Sequence, residues 1–429
     1  MYMTFNIITL GCKVNAYESE FIKEQLLKSN FKYEKSYKTS DIVIVNTCSV
    51  TNMADNKSFK MIRDVRRDNP ACIMVVCGCS AENHKDDMPD VYIDILIGNR
   101  DKSKIVSIIK EYLISNKTYV KFYEGRNSEF EDMKVEEFED RTRAFIKIQD
   151  GCNNFCSYCI IPYVRGNIRS KDINKAIEEI EELVNNGHKE IVFTGIDTGN
   201  YGRETGKYNL VDLIRAISKF DKLERIRVSS IEITSIDDEF IKELKNNKKL
   251  CGHLHVSLQS GCDKTLKAMN RKYNTKEYLD KIKKIRKVRP DINLTTDVIV
   301  GFPGETEEDF KESVEFCKKV GFSKIHVFPY SKRKGTKAAT MPDQVDNATK
   351  KERARELIKI DEDLQKEYYS KFKGEEVEVL IEEVKNGVSI GHTENFIKVE
   401  IKGKLEENTN YKVKVMKAYS DYVTGKVIK

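Results

Sequence analysis

The sequence predicts an α/β protein of three modules: an N-terminal doubly wound parallel-sheet domain, a central (βα)6 partial TIM-like barrel, and a small OB-like C-terminal antiparallel β-barrel. Three patterns predict it. Short apolar runs alternate with helical segments through residues 1–115. From residue 144 the alternation resumes as six strand–helix units of roughly thirty residues, the size of a βαβ unit. The chain then ends in five short strand-like runs with no helix between them.

In the first module, FNIITL at 5–10 is a continuous apolar run ending in Gly11-Cys12, and reads as a buried parallel strand followed by a helix at 16–29. DIVIVNTCSV at 41–50 repeats the pattern, with Cys48 at its end and a helix at 52–67. CIMVVCGCSAE at 72–82 repeats it again, with Cys77 and Cys79 near the strand end. IDILIG at 93–98 and a helix to 114 close the unit. In a parallel sheet the carboxyl ends share one edge, and ligands bind there. Cys12, Cys48 and Cys79 each follow a different strand, so they form a candidate three-thiol metal site. The competing reading is packing, because free cysteine is among the most buried residue types. Cys77 lies inside its apolar run and is expected to point into the sheet, with Cys72 a core or surface residue.

Residues 116–143 are acidic and aperiodic, and read as a linker or crossing strand. AFIKIQ at 144–149 is the strand that delivers GCNNFCSYC at 151–159. Thiolates are the usual protein ligands of a [4Fe–4S] cube. The CxxxCxxC spacing of Cys152, Cys156 and Cys159 suits a loop curled around one object, not a strand with alternating faces. Three thiolates leave one iron free for a small molecule. A structural zinc site wants four closed ligands, and no matching CxxC or HxxxH follows. A disulfide reading needs an oxidising compartment, which no sequence feature indicates.

The remaining barrel strands are EIVFTG at 190–195, ERIRVSS at 224–230, HLHVSLQS at 253–260, DINLTTDVIVGFPG at 291–304 and SKIHVFPY at 323–330. Loops after such strands carry the chemistry of a βα barrel. GIDTGNYG, SLQSG and GFPGET can bring backbone groups up to a ligand, although turns of this composition also occur for structural reasons. Residues 343–371 form a highly charged helix, read as a solvated connection. Residues 372–429 form the end barrel, a module that often binds RNA. Its nearly balanced Lys and Glu leave a packing role open.

The composition is 34% charged and 39% hydrophobic with net charge +6, a soluble cytoplasmic profile whose mild basic lean permits a nucleic-acid partner. Eleven cysteines without a secretory leader argue against a disulfide framework. No apolar run is long enough for a transmembrane helix.

GCNNFCSYC opening a six-unit βα domain resembles the radical S-adenosylmethionine (SAM) superfamily. LGCKVNAYESE, NTCSV and GCSAE before it, LQSG, GFPGET and HVFPYSKRKGT within it, and a TRAM-like barrel after it together resemble the methylthiotransferases. The likeness covers essentially the whole chain. It divides the chain into a methylthiotransferase α/β domain (1–115), linker (116–143), radical SAM core (144–342), connecting helix (343–371) and TRAM-like barrel (372–429). LGCKVNAYESE and PYSKRKGTKAA resemble the branch acting on N6-threonylcarbamoyladenosine next to the tRNA anticodon. The isopentenyladenosine branch reads GCQMN, and the branch modifying a ribosomal-protein aspartate reads closer to GCxKN. Three positions depart from the family pattern: Cys262 stands where Ser is usual, Cys77 lies two before Cys79, and Lys171 replaces a commoner Arg.

The resemblance implies that Cys152, Cys156 and Cys159 hold a [4Fe–4S] cluster that binds SAM and cleaves it reductively. Cys12, Cys48 and Cys79 would hold an auxiliary [4Fe–4S] cluster that carries the sulfur, and a second SAM would supply the methyl group. The methylthio group would go to adenine C2, with no catalytic residue beyond the cluster ligands. Tyr158, Thr194, Gly195, Gln259 and Gly301 are candidate SAM contacts, and Arg165 and Arg169 candidate tRNA phosphate contacts. Expected partners are the tRNA anticodon stem-loop and an electron donor such as flavodoxin or ferredoxin, with the protein a cytoplasmic monomer. The rival of another class is a metal-stapled, non-catalytic RNA-binding protein.

Overall fold

Six parallel strands build the N-terminal sheet, in spatial order Lys32–Tyr33, Thr4–Thr9, Ile42–Thr47, Ile73–Gly78, Ile95–Ile97 and Tyr119–Lys121. The computed structural model describes residues 3–138 and 142–428. Every residue of Ile42–Thr47 is buried, as a central strand with helices on both faces requires. The strand order reverses between Thr4–Thr9 and Ile42–Thr47. That reversal is the switch point at which doubly wound sheets bind ligands. Lys32–Tyr33 and Tyr119–Lys121 are too short for any period to show in sequence. The second belongs to the stretch read as a linker. That stretch also buries Met133, Val135 and Phe138, and Tyr17 donates to the Met133 carbonyl at 2.6 Å, so it is a packed crossing. Residues 139–141 of it lie outside the described residues.

In the central module Arg143–Lys147, Glu190–Thr194 and Arg225–Val228 pair in parallel. So do Ser230–Glu232, His253–Ser257, Asn293–Val300 and Lys324–Pro329. Arg225–Val228 and Ser230–Glu232 are one strand interrupted at Ser229, and the Ile226–Leu250 bridge joins the two groups into one open six-unit barrel. Open barrels leave two edges to cover. Helix Lys13–Lys28 of the first module lies against Arg143–Lys147. Helix Asn347–Ser370, expected to be solvated, lies along Lys324–Pro329, where buried Asp361 accepts the Ile325 amide at 2.6 Å.

The last five strands, Glu376–Lys385, Val388–Thr393, Lys398–Lys402, Val423–Val427 and Asn410–Ala418, close into a barrel around Val379, Ile381, Val399 and Val413. It docks on the amino ends of the central strands. Arg225 donates to the His392 carbonyl at 2.9 Å, Arg227 to that of Glu394 at 3.1 Å, and Asn293 to that of Asn395 at 2.7 Å.

Candidate active site

Cys12, Cys48 and Cys79 follow three adjacent strands, with Thr9 paired to Asn46 and Thr47 to Gly78. Register alone therefore brings the three thiols to one sheet edge, beside the switch point. Gly11 has φ +98, and a Cβ there would lie 2.5 Å from the Cys48 Sγ, so only glycine lets Cys12 and Cys48 approach. Cys12 is exposed, while Cys48 and Cys79 are buried. Among the described residues no three cysteine sulfurs lie all within 4.8 Å of one another. A tetrahedral zinc, with Zn–S of about 2.3 Å, would draw sulfurs closer than that.

The second triad is held by its own loop. Gly151 has φ +70 and presses against the Asn167 carbonyl, where a Cβ would come within 2.0 Å. The Asn154 amide donates to Cys152 Sγ at 3.5 Å and Arg271 Nη1 to Cys156 Sγ at 3.3 Å. Arg271 is itself fixed by an ion pair to Glu232 and lies over the Tyr273 ring. Burial pushes the Cys48 thiol up to about 11 and the Cys159 thiol up to about 12. Cys48 and Cys159 are therefore neutral thiols in the free protein, and binding a metal group as thiolates would release their protons.

Arg165 joins the two triads. Its Nε donates to Cys79 Sγ at 3.3 Å, and its Nη1 reaches Glu18 at 3.0 Å and Asp150 at 3.1 Å. Asn99 Nδ2 adds a second donor to Cys79 Sγ at 3.5 Å. This corrects the phosphate reading. Arg165 is 2% exposed and Arg169, bonded to Asp150 at 3.0 Å, is 8% exposed, so neither presents its charge to an RNA backbone. Lys171 is also internal, paired with Glu179. Glu18 lies at the centre, taking Lys102, Lys147 and Arg165. Burial pushes its carboxyl up, but Arg165, Lys102 and Lys147 outweigh that and hold it well below its ordinary value.

A cavity of about 200 Å³ opens between Cys159 and the residues just past Cys48. Val50 and Thr51, just past Cys48, form one wall. Tyr158, Cys159 and Gln259 form the other, and Ile299 and Phe328 make it largely apolar. Of the candidate SAM contacts, Tyr158 and Gln259 line this cavity. Thr194, Gly195 and Gly301 do not line it. Thr194 is buried, Gly195 packs on Gln149, and Gly301, with φ +70, packs on Lys350. Gln149 accepts the Ile196 amide and donates to the Gly151 carbonyl, so the turn at 194–197 braces the cysteine loop. The larger 780 Å³ groove between the long helix and the end barrel lies away from all six thiols.

Cys77 is fully buried against Asn46, as expected, and Cys262 is buried beside Asp309 at a helix start. Sequence reasoning missed Arg271, Glu18, Asn99 and Arg333. Arg333 reaches from the loop after Lys324–Pro329 to the Ser49 carbonyl at 2.8 Å and to Asp55 at 2.6 Å, clamping the Cys48 loop. Its only signal is its place in HVFPYSKRKGT.

Residues 146–317 match the model of the radical SAM superfamily, and residues 4–98 match that described as "Uncharacterized protein family UPF0004". The threonylcarbamoyladenosine tRNA methylthiotransferase MtaB of Bacillus subtilis is 41% identical, over 98% of this chain and 95% of its own length. MtaB of Thermotoga maritima is 39% identical over 99% of both. The tRNA-2-methylthio-N(6)-dimethylallyladenosine synthase of a Thermoanaerobacter species is 37% identical over 88% of this chain and 82% of its own. The radical SAM methyltransferase TsrM of Kitasatospora setae shares the fold, with TM-score 0.57 at 16% identity over 79% of this chain and 75% of that one. The chain belongs to the radical SAM methylthiotransferase family, enzymes that transfer a sulfur-containing group and rely on SAM and a [4Fe–4S] cluster.

Proposed function

We propose that the protein inserts a methylthio group at C2 of N6-threonylcarbamoyladenosine beside the tRNA anticodon, using two [4Fe–4S] clusters and two molecules of SAM. One observation carries the reading. The chain aligns end to end with enzymes named for that substrate, and Cys159 of one triad shares a cavity with the residues that follow Cys48 of the other. Dimethylallyladenosine synthases match at 35–37% identity, below the 41% and 39% of the Bacillus subtilis and Thermotoga maritima enzymes.

The donor sets fit the groups. Every polar contact to Cys79 and Cys156 sulfur other than that of the Asn99 amide oxygen is a donor, Arg165, Asn99 or Arg271, which suits thiolate ligands of an anionic cluster. Cys152, Cys156 and Cys159 would hold one cluster and Cys12, Cys48 and Cys79 the other. When bound, these groups supply an open iron for SAM and its reductive cleavage, and an open iron for the transferred sulfur. The protein's own part is placement. Arg165 and Arg333 fix the two modules so that both triads address one point. Tyr158, Ile299 and Phe328 give the cavity apolar walls, and a bound substrate would have to complete the exclusion of water that a radical reaction requires. The end barrel, with its docked position and RNA-sized face, would hold the stem-loop. The domain boundaries read from the sequence, a single-electron donor of the flavodoxin or ferredoxin kind, and a cytoplasmic monomer complete the reading. No helix among the described residues is long and apolar enough to cross a membrane.

Nucleoside mass spectrometry of tRNA from a strain lacking this gene and any paralogue tests the substrate. Loss of 2-methylthio-N6-threonylcarbamoyladenosine with restoration on complementation is expected. Loss of the 2-methylthio-isopentenyl nucleoside instead would move the protein to the other tRNA branch. Zinc without iron in anaerobically reconstituted protein would sink the enzyme reading.

A further inference from the structure

Below the cavity beside Cys159 lies a second chamber, of about 520 Å³, inside the barrel lumen. Asp297 lines the upper cavity. His255, whose Nε2 is 3.2 Å from the Asp297 carboxylate, lines the lower one. One His–Asp pair therefore separates them. The depth between them is set by one strand: Asp297 faces the upper space and Thr295 the lower, about 6.6 Å apart for two strand residues.

The lower chamber is basic. Lys13, Arg143, Arg227, Lys324 and Lys398 line it, against Asp421 as its one lining carboxylate. Four of the five cations have carboxylate partners: Glu382, Glu190, Asp361 and Glu400. Lys13 has none within ion-pair distance among the described residues; its charged neighbours are Arg143, Arg227 and, more weakly, the Glu190 carboxylate. Lys13 is also the residue after Cys12, so one side chain faces the auxiliary triad and the next faces the chamber. The floor is sealed by the end barrel. Phe396 stacks on His392 at 4.6 Å, with Arg227 at 4.7 Å and Arg143 at 5.0 Å over its ring.

Resting on the substrate reading above, we propose that this chamber receives the carboxylate of the N6-threonylcarbamoyl substituent, with Lys13 as its counter-ion and His326 as a hydrogen-bond donor. The chamber then decides which modified adenosine the enzyme accepts. The adenine stays in the upper cavity, and its anionic arm passes the His255–Asp297 pair. That passage is comparable in length to the carbamoyl-amino-acid arm. A neutral dimethylallyl arm would leave Lys13 beside two like charges with nothing to offset them, which favours the anionic arm. His255, Asp297 and His326 also lie close enough together to hold a cation. Lys13, the one lining cation without an ion-pair partner among the described residues, is what favours an anion there.

The reconstituted holoenzyme, assayed with three anticodon stem-loops, tests this. One carries threonylcarbamoyladenosine, one its side-chain primary amide, and one dimethylallyladenosine. A buried charge-assisted hydrogen bond predicts that kcat/KM for the acid exceeds that for the isosteric amide by about tenfold or more, mainly through KM. Lys13→Met should bring that ratio to near one at full iron content, and Lys13→Arg should restore part of it. If Lys13→Met fails to load iron, His326→Asn must lower the same ratio. Wild-type enzyme that uses amide and acid equally well overturns the proposal while leaving the substrate reading intact. Wild-type enzyme that converts only the dimethylallyl stem-loop overturns the substrate reading itself. Stoichiometric zinc held by the wild type and lost in His326→Asn would make the cluster a metal site and also overturn the proposal.

Discussion

Glu18 is enclosed by Lys102, Lys147 and Arg165, and all four side chains are essentially without solvent contact. Substituting Glu18→Gln leaves three cations around a neutral amide. Breaking a buried ionic cluster by removing one partner costs about 3–5 kcal/mol, so urea unfolding should show a loss of that size. The same carboxylate sets a pH dependence. Its folded value lies below its ordinary 4.5, so its contribution is present above that value and fades as pH falls beneath it. Wild-type stability should therefore decline below about pH 4.5, and Glu18→Gln should lack that component of the decline. Equal acid slopes for the two proteins would mean that Glu18 is not ionised in the fold. Glu18 stands in the first sequence motif, yet its partner Arg165 lies 147 residues on. Sequence places both residues and gives no reason to join them.

Two elements carry the thiols, and each is separable. Cys12 caps helix Lys13–Lys28, while Cys152 to Cys159 occupy a loop braced by Gln149 and Arg271. Cys12→Ala should remove about half of the iron and leave reductive SAM cleavage in place, because the CxxxCxxC loop retains its three ligands. Loss of cleavage would mean that the two triads have been assigned in the wrong order. Arg333→Ala addresses the joint between elements. Iron should be retained and 5′-deoxyadenosine still formed, with methylthiolated product falling about tenfold or more as the Cys48 loop loses its clamp. The candidate thiol sets could be read in sequence because Cys152, Cys156 and Cys159 form one local motif, while Cys12, Cys48 and Cys79 each end a strand that register brings to one sheet edge. The short edge strands could not, since two or three residues carry no period. Arg165 and Arg169 were misread because a charge beside a cysteine loop looks the same in sequence whether it faces solvent or a buried Asp150.

At the scale of the whole molecule, three modules share one lumen. The first contributes Lys13, the second the strands, and the third Phe396 and His392 as the floor. The order of modules was readable from periodicity, but their convergence depends on register and docking, which no single segment encodes. A barrel that only held RNA would need no contact with the lumen. This one inserts an aromatic ring between Arg143 and Arg227. Phe396→Ala should open the floor to water and loosen both arginines. If the floor matters to chemistry, the ratio of 5′-deoxyadenosine to methylthiolated nucleoside should rise severalfold, because an exposed radical is quenched before transfer. If the ring serves only to seat the end barrel, that ratio will stay at its wild-type value and the change will appear as weaker stem-loop binding alone. Measuring product ratio and affinity on the same preparation separates the two roles, and the docked position of Phe396 predicts the first.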